Sequence, residues 1–206
     1  AGIKVAGRKE VVVMKIEQGS TVAGVFTQNR FCAAPVHIAK QHMQLTTPSY
    51  FLINTGNANA GTGEQGMVDS LSCCQAVADA ANVAPQEVLP YSTGVIGEPL
   101  PVDLICHSVP AALDQLSENG WADAAEGILT TDTRPKGASI QCDINGSPVT
   151  ITGICKGSGM IKPNMATMLG YVATDAVIDE ELLHAALQKA NGKSFNRITV
   201  DGDTST

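Results

Sequence analysis

The sequence predicts a layered α/β sandwich of the α+β type, and two local patterns lead to that prediction. Strand-like runs flank Asn145-Gly146, which is the favoured two-residue turn of an antiparallel hairpin. Apolar residues recur at helical spacing in 67–83 and 179–192. Because strands and helices alternate irregularly, a regular doubly wound sheet is not expected. With no internal repeat and no linker, residues 1–206 are predicted to form a single unit.

The predicted elements are bounded by β-branched runs, apolar periodicity and turn residues. Glycine is expected to end two helices, at Gly120 and Gly192, since it readily adopts the left-handed conformation that closes a helix. Pro110 is expected to kink or break the first of them. In chain order, the prediction comprises paired strands at 10–16 and 21–27, a buried strand at 50–54, helices at 67–83, 102–120 and 121–129, a hairpin at 138–154, a strand at 168–176, a helix at 179–192 and the beginning of a strand at 198.

Composition argues against two classes of partner. Hydrophobic residues make up 44% of the chain and charged residues 16%, which is typical of a protein that folds around a core. The 13 Lys and Arg against 20 Asp and Glu give a net charge of −7, so binding to a nucleic-acid backbone is not expected. No apolar run approaches the ~20 residues that a membrane span needs, so no membrane partner is expected either.

The six cysteines and four histidines predict neither disulfides nor a metal site. No C-x-x-C motif is present, and the histidines lack H-x-x-x-H spacing, so no metal is expected. No signal-peptide pattern is found in residues 1–16. Because disulfides accumulate in exported proteins, the thiols are expected to be free and buried.

One glycine-rich segment is compatible with a dinucleotide site. GTGEQG at 61–66 matches G-x-G-x-x-G, follows a predicted strand and precedes a predicted helix. A Rossmann turn is tight, however, and residues 55–61 intervene after the strand. An ordinary glycine-rich loop is therefore favoured, and dinucleotide binding through Gly61, Gly63 and Gly66 is kept as an alternative. NGKS at 191–194 is not a P-loop, because residue 187 is leucine instead of the required glycine.

Two further loops have a structural and a functional interpretation. INTGNANAGTG at 53–63 is either a cluster of turn residues or a set of amide donors that lines a pocket, and the sequence does not decide between them. Thr93 and Gly94 in YSTGVIGEPLP could direct two hydrogen-bond donors at one oxyanion. Taken without further information, a loop that ends a strand is the simpler interpretation of this second segment.

KGSGMIKPNMATMLGY at 156–171 has the composition of a loop that strains its own backbone. Gly157 and Gly159 permit positive φ, and Pro163 restricts the chain ahead of Ala166-Thr167. A phosphate loop would need a helix after its glycines, whereas a strand is predicted here. A threonine hydroxyl held against the preceding carbonyl can attack it, and hydrolysis of the resulting ester leaves a free N-terminal threonine. An α-amine with a pKa near ~7.7–8.0 can then serve as the base for its own hydroxyl.

The same segment closely resembles the processing segment of the glutamate N-acetyltransferase (ornithine acetyltransferase) family of arginine biosynthesis. The other matching motifs lie in the family's order and span nearly the whole chain, so the resemblance is specific. They are VFTQNRFCAAPVHIAK, INTGNANAGTG, STGVIGEPLP, ILTTDTRPK and ITVDGDTST.

This resemblance implies a self-cleaving precursor that is cut between Ala166 and Thr167. Thr167 would be the nucleophile, and Thr93 and Gly94 would form the oxyanion hole. The implied fold is a layered α/β sandwich related to other self-processing hydrolases.

The implied reaction transfers an acetyl group from N-acetylornithine to glutamate through an acetyl-threonine intermediate. The family's substrate contacts correspond here to Lys156, Thr130 and Thr167. The resemblance implies no metal or organic cofactor. It leaves open whether acetyl-CoA is a second donor.

Family members run roughly as long again beyond the DGDTST segment, so the sequence is expected to be the N-terminal part of such an enzyme. Residues 1–166 would be the alpha-chain portion, and 167–206 would begin the beta-chain portion. The family implies a heterotetramer of two alpha and two beta chains. The expected location is the cytoplasm, or the mitochondrial matrix in a eukaryote.

Two rival functions remain. An N-terminal-nucleophile amidohydrolase or aminopeptidase would use the same Thr167 with water as acceptor. Dependence of acetyl loss on glutamate would distinguish that enzyme from a transferase. The dinucleotide-binding module would instead be revealed by binding of NAD or FAD to an uncut chain.

Overall fold

The computed structural model describes residues 1–162 and 168–204. The strands are β1 (Val11–Lys15), β2 (Tyr50–Asn57), β3 (Val88–Val95), β4 (Lys136–Ile144), β5 (Ser147–Lys156) and β6 (Leu169–Thr174). The helices are α1 (Ala34–Leu45), α2 (Gly63–Ala81), α3 (Val102–Asp114), α4 (Trp121–Gly127) and α5 (Glu180–Lys193). Among these helices, no stretch combines the length and hydropathy that a membrane span requires.

The first sheet is mixed and has the strand order β1-β2-β3. β1 runs antiparallel to β2, and β2 runs parallel to β3. A parallel pair needs a long crossover, and α2 lies within the one that joins β2 to β3. The register places Thr55 opposite Thr93 and Gly56 opposite Gly94.

The second sheet is antiparallel and has the strand order β4-β5-β6. Its first two strands form the predicted hairpin, with φ of 54° at Asn145 and 82° at Gly146. Positive φ at both positions is the type I′ geometry that matches strand twist. The Gly146 N–H donates to Asp143 Oδ1 at 2.8 Å, which fastens the turn.

Two apolar cores explain the layers. Val13 and Leu52 belong to a core between the first sheet and helices α1, α2 and α3. Their chain neighbours Val12 and Ile53 belong to a second core, shared with α4 and the second sheet. Since successive strand residues face opposite sides, the first sheet is buried on both faces. The predicted layered α/β sandwich is therefore confirmed.

Aromatic side chains join the two sheets. The ring centroid of Tyr91 on β3 lies 5.3 Å from that of Phe51 on β2 and 5.2 Å from that of Tyr171 on β6, both with edge-to-face geometry. Burial raises the pKa of both tyrosines. The Tyr171 hydroxyl is buried and has no hydrogen-bond partner among the described residues. These contacts hold the second sheet over the first.

Several predicted elements are confirmed at their approximate bounds: the strand at 50–54, the helices at 67–83, 121–129 and 179–192, and the strand at 168–176. The last of these helices is capped by Asp179, whose Oδ1 accepts from the Leu182 N–H at 2.8 Å. The prediction that Gly192 ends this helix was wrong, because the helix continues to Lys193.

Three element predictions were wrong. Residues 21–27 do not form a strand, because β1 pairs instead with the distant β2. The helix predicted to close at Gly120 continues through Pro110 but ends at Asp114. A turn follows it, in which the Gly120 N–H donates to the Ser117 carbonyl at 3.0 Å. No strand occurs within the described residues 198–204.

Two elements were not predicted. α1 carries Pro35 in its first turn and buries Ile38, Ala39 and His42, a helical spacing that was a usable signal. β3 was considered only as the strand before a loop. Its residues Val88 and Leu89 are fully buried, and pairing with β2 stabilises it.

Candidate active site

Thr93 and Gly94 lie at the end of β3, beside the end of β2. Thr93 is buried, and Gly94 has a φ of +141°. A Cβ added at Gly94 would lie 2.7 Å from the Gly56 carbonyl oxygen, closer than real Cβ contacts. The close approach of the two strands therefore requires glycine at this position. β3 ends one residue later, at Val95, in agreement with the simpler interpretation of this segment as the end of a strand.

The asparagine side chains of 53–63 donate hydrogen bonds to backbone carbonyls of the protein itself. Asn54 donates to the carbonyl of Asn57 at 2.9 Å, and Asn57 donates to the carbonyl of Pro99 at 3.0 Å. Asn59 donates to the carbonyl of Gly66 at 2.9 Å. All three asparagines are buried, so their amides satisfy backbone groups of the loop. This geometry favours the turn-cluster interpretation over a pocket of free amide donors.

The spacing of Gly61, Gly63 and Gly66 also has a structural cause. Gly61 and Gly63 have φ of +71° and +60°, which glycine adopts without strain. A Cβ added at Gly66 would lie 2.5 Å from Asn59 Oδ1. The G-x-G-x-x-G pattern therefore follows from the turn into α2 and its packing, without a bound dinucleotide.

Lys156, the last residue of β5, is 3% exposed. Its Nζ donates to the Thr130 hydroxyl at 3.1 Å. Burial is the main cause of a lowered Lys156 pKa of about 8; the charge of Asp132 opposes this shift, and that of Lys136 adds to it. The structure thus brings together two of the three residues for which substrate binding was predicted; the third, Thr167, lies outside the described residues.

Asp132 is a buried acid that the sequence reasoning did not single out. Its carboxylate accepts from Lys136 Nζ and from the Gly157 N–H at 2.9 Å. Burial alone would raise the pKa of Asp132, but these hydrogen bonds and the charges of Lys136 and Lys156 hold it below its ordinary value. The available signal was the spacing along the chain: Asp132 lies two residues after Thr130 and four residues before Lys136.

The N-terminal segment is hydrogen-bonded to the backbone at Thr130. Arg8 donates to the carbonyls of Leu129 and Thr130 at 2.7 and 3.4 Å. The buried carboxylate of Glu10 accepts from three consecutive backbone N–H groups, those of residues 3–5. Ile3 from that segment packs against Gly56, which is the partner of Gly94.

Thr55 connects the two groups of candidate residues. It pairs with Thr93 in the first sheet, and its hydroxyl donates to the carbonyl of Gly127 at 3.2 Å. Gly127 ends α4 and lies three residues before Thr130. The Thr93–Gly94 corner and the Lys156–Thr130 pair therefore belong to neighbouring elements.

The predicted cleavage residues Ala166 and Thr167 lie outside the described residues. The chain before them is fastened by Asp201 of the DGDTST motif, which accepts from the N–H groups of Met160 and Ile161 at 2.7 and 3.2 Å. On the other side, Met168 packs against Gly157.

All six cysteines are free, as predicted, but only Cys73 and Cys74 are buried. Burial raises the pKa of both thiols. Within the part of the chain that the structure describes, no group of three or more His, Cys, Asp or Glu side chains could hold a metal ion.

The fold and the site together define a class: a layered α/β protein with a buried lysine bonded to a threonine hydroxyl, and with a glycine corner between two parallel strands on neighbouring elements. The model of the ArgJ family matches residues 1–206. The chain therefore belongs to the ArgJ family, and the expected family is confirmed.

Relatives of known sequence include the arginine biosynthesis bifunctional protein ArgJ of Pseudomonas syringae pv. tomato, 60% identical over 206 residues, which are 100% of this chain and 51% of that protein. The protein of the same name from Methylococcus capsulatus is 53% identical, over 100% of this chain and 50% of the relative. The chain thus spans about half the length of the curated relatives it matches.

Solved structures of related proteins share the fold. The arginine biosynthesis bifunctional protein ArgJ of Bacillus halodurans superposes with a TM-score of 0.73 at 36% identity, over 80% of this chain and 86% of that one. Ornithine acetyltransferase from Mycobacterium tuberculosis, complexed with ornithine, superposes with a TM-score of 0.69 at 30% identity, over 82% and 88% of the two chains.

Proposed function

We propose that this protein transfers an acetyl group from N-acetylornithine to glutamate, through an acetyl-threonine formed on Thr167 after autocleavage at Ala166-Thr167. The observation that carries the proposal is the buried ammonium of Lys156 against the Thr130 hydroxyl, in a chain of the ArgJ family. A buried cation beside a hydroxyl can bind the carboxylate of a small amino-acid substrate. The names of the relatives support this substrate class, since they refer to arginine biosynthesis and to an ornithine acetyltransferase.

The first half-reaction forms an ester. The N-terminal amine of Thr167 accepts the proton of its own hydroxyl, whose oxygen attacks the acetyl carbonyl of N-acetylornithine. Negative charge develops on the carbonyl oxygen, and the proposed donors to it are Thr93 and the N–H of Gly94. Collapse of the tetrahedral intermediate breaks the C–N bond, and ornithine leaves with a proton on its amine.

The second half-reaction reverses the chemistry with a new amine. Glutamate attacks the acetyl ester, its amine loses a proton, and the Thr167 oxygen regains one. The products are N-acetylglutamate and free enzyme. Both substrates carry an α-carboxylate, so one site built around Lys156 and Thr130 can serve them in turn.

In this proposal, residues 1–166 supply the oxyanion donors and Lys156, while the chain from Thr167 onward supplies the nucleophile. The two portions are proposed to stay together as chains of one assembly, with two copies of each. The aromatic contacts between the first sheet and Tyr171 support a stable association of the portions.

The decisive experiment traps the intermediate. Processed protein made from the complete gene is incubated with N-acetylornithine alone, and we expect one acetyl group on the fragment that begins at Thr167. Hydroxylamine should remove it, because hydroxylamine cleaves an ester and spares an amide. Glutamate should also remove it and yield N-acetylglutamate, with ping-pong kinetics.

Two results would contradict the proposal. Initial-rate plots that intersect, with no acetylated fragment, would indicate direct transfer in a ternary complex. Loss of the acetyl group at the same rate with and without glutamate would instead identify an amidohydrolase that uses water.

A second prediction concerns Lys156. Replacing Lys156 with Met removes the buried cation, and we expect KM for N-acetylornithine to rise by roughly ten- to a hundredfold, the usual scale for a charge-assisted hydrogen bond of about 1.5–3 kcal/mol. In the unchanged protein, KM should also rise above pH 8. The Lys156 pKa is about 8, so the cation is lost as the pH increases through that value.

Lys162→Met is the matched control for this prediction. Lys162 is exposed and lies on the same approach to the cleavage site. Its removal should leave both KM and the pH profile nearly unchanged. Equal, small effects at the two lysines would mean that Lys156 does not bind substrate.

A further inference from the structure

Asp132 contacts three parts of the candidate site: Thr130, Lys136 at the start of β4, and Gly157 after the end of β5. Its side chain is fully buried, on the segment between α4 and β4. It forms a salt bridge with Lys136 and accepts from the Gly157 N–H at 2.9 Å. Its second oxygen lies 3.5 Å from the Thr130 nitrogen.

These contacts control the backbone on both sides of the lysine–threonine pair. Gly157 directly follows Lys156 in the chain, and Thr130 provides the hydroxyl that accepts from Lys156 Nζ at 3.1 Å. A single carboxylate is therefore bonded to the peptide next to the lysine and faces the backbone nitrogen of the threonine.

Lys156 has one neighbouring charge of opposite sign and one of like sign. Asp132 is the acid that faces it, and Lys136 at the start of β4 is the neighbouring cation. Arg8 is bonded to the Thr130 carbonyl from the N-terminal segment. The acids of α4, Asp123 and Glu126, are bonded to Lys9 at the surface instead.

We propose that Asp132 is a positioning residue of the acetyl-transfer site, which holds Lys156 and Thr130 in register and keeps the Lys156 ammonium charged for a substrate carboxylate. This inference rests on the function proposed above. Asp132 touches no reacting atom: it acts through the Gly157 amide and through its charge. Lys136 has the opposite electrostatic effect on Lys156, because it is a like charge that also neutralises Asp132.

The test compares Asp132→Asn with Lys136→Met in protein made from the complete gene. Asn keeps the shape of Asp and removes its charge, so the Lys156 ammonium should lose its proton at lower pH. Removing the Lys136 charge should move the same titration to higher pH. The titration is followed by NMR of isotope-labelled lysine side chains, with Lys156→Met identifying the Lys156 signal.

Kinetics supply the second measurement. The alkaline limb of kcat/KM for N-acetylornithine should shift in the same two directions as the NMR titration. Asp132→Asn should also reduce kcat/KM by roughly ten- to a hundredfold at neutral pH, mainly through KM, since a small misplacement of a binding group costs that much. A purely structural ion pair would lower the melting temperature without moving either pH profile.

The outcomes separate the two proposals. Unchanged titration and unchanged pH limbs in both variants would overturn the role of Asp132, even if acetyl transfer is normal. If the original protein forms no acetyl-threonine, the proposed function fails, while opposite NMR shifts would still establish the electrostatic coupling. If Asp132→Asn does not fold, the direction of the Lys136→Met shift decides: a move to higher pH supports the inference, and no move overturns it.

Discussion

Thr167→Ala should give a single uncut chain with no acetyl transfer. The alanine has no hydroxyl, so the N-to-O acyl shift at Ala166-Thr167 has no nucleophile. Without cleavage the chain has no N-terminal amine at residue 167 to serve as base. Gel electrophoresis and N-terminal sequencing of every fragment measure the first effect, and formation of N-acetylglutamate measures the second.

Thr167→Ser is the matched variant, because serine keeps a hydroxyl at the same position. It should still be cleaved, and its new fragment should begin at residue 167. Cleavage after Ala166 in the alanine variant would show that an outside protease makes the cut, which would refute self-processing.

Gly94→Ala should destabilise the protein by roughly 3–5 kcal/mol, the sum of backbone strain at positive φ and overpacking. The added methyl group would lie 2.7 Å from the Gly56 carbonyl oxygen, and backbone cannot move as easily as a side chain. Because small proteins are stable by only about 5–15 kcal/mol, this loss should be plain in chemical denaturation. The free energy of unfolding is the quantity to measure.

Gly97→Ala separates strain from contact. Gly97 has a φ of +81°, yet no atom of the residues that the structure describes lies within 4 Å of an added Cβ. Its substitution should therefore cost only the strain, about 1 kcal/mol. Equal losses at Gly94 and Gly97 would mean that the close approach of β2 and β3 does not restrict residue 94.

Local patterns predicted the elements whose causes are local. The Asn145-Gly146 turn closes its hairpin because these two residues tolerate the left-handed backbone conformation. The helix capped by Asp179 begins where expected, because its cap hydrogen bond spans only three residues. Motif resemblance also led from the sequence to the family and to Lys156, Thr130, Thr93 and Gly94.

Long-range contacts decided what those patterns could not. The run 21–27 is as rich in β-branched residues as a strand, yet it forms none. β1 pairs instead with β2, about forty residues away, because that pairing buries β1 on both faces. The asparagines of 53–63 were ambiguous, since an amide looks the same in sequence whether it meets a ligand or a distant carbonyl such as that of Pro99.

By itself, the sequence predicted the fold class from periodicity and turn residues, and the resemblance of its motifs predicted the family and the candidate nucleophile Thr167. Only the tertiary structure placed Asp132 between Lys136 and Gly157 and buried Lys156 beside Thr130. Burial and charge at a site depend on which segments the fold brings into contact. The lowered pKa of Lys156 follows from its removal from water, which no spacing of residues along the chain records.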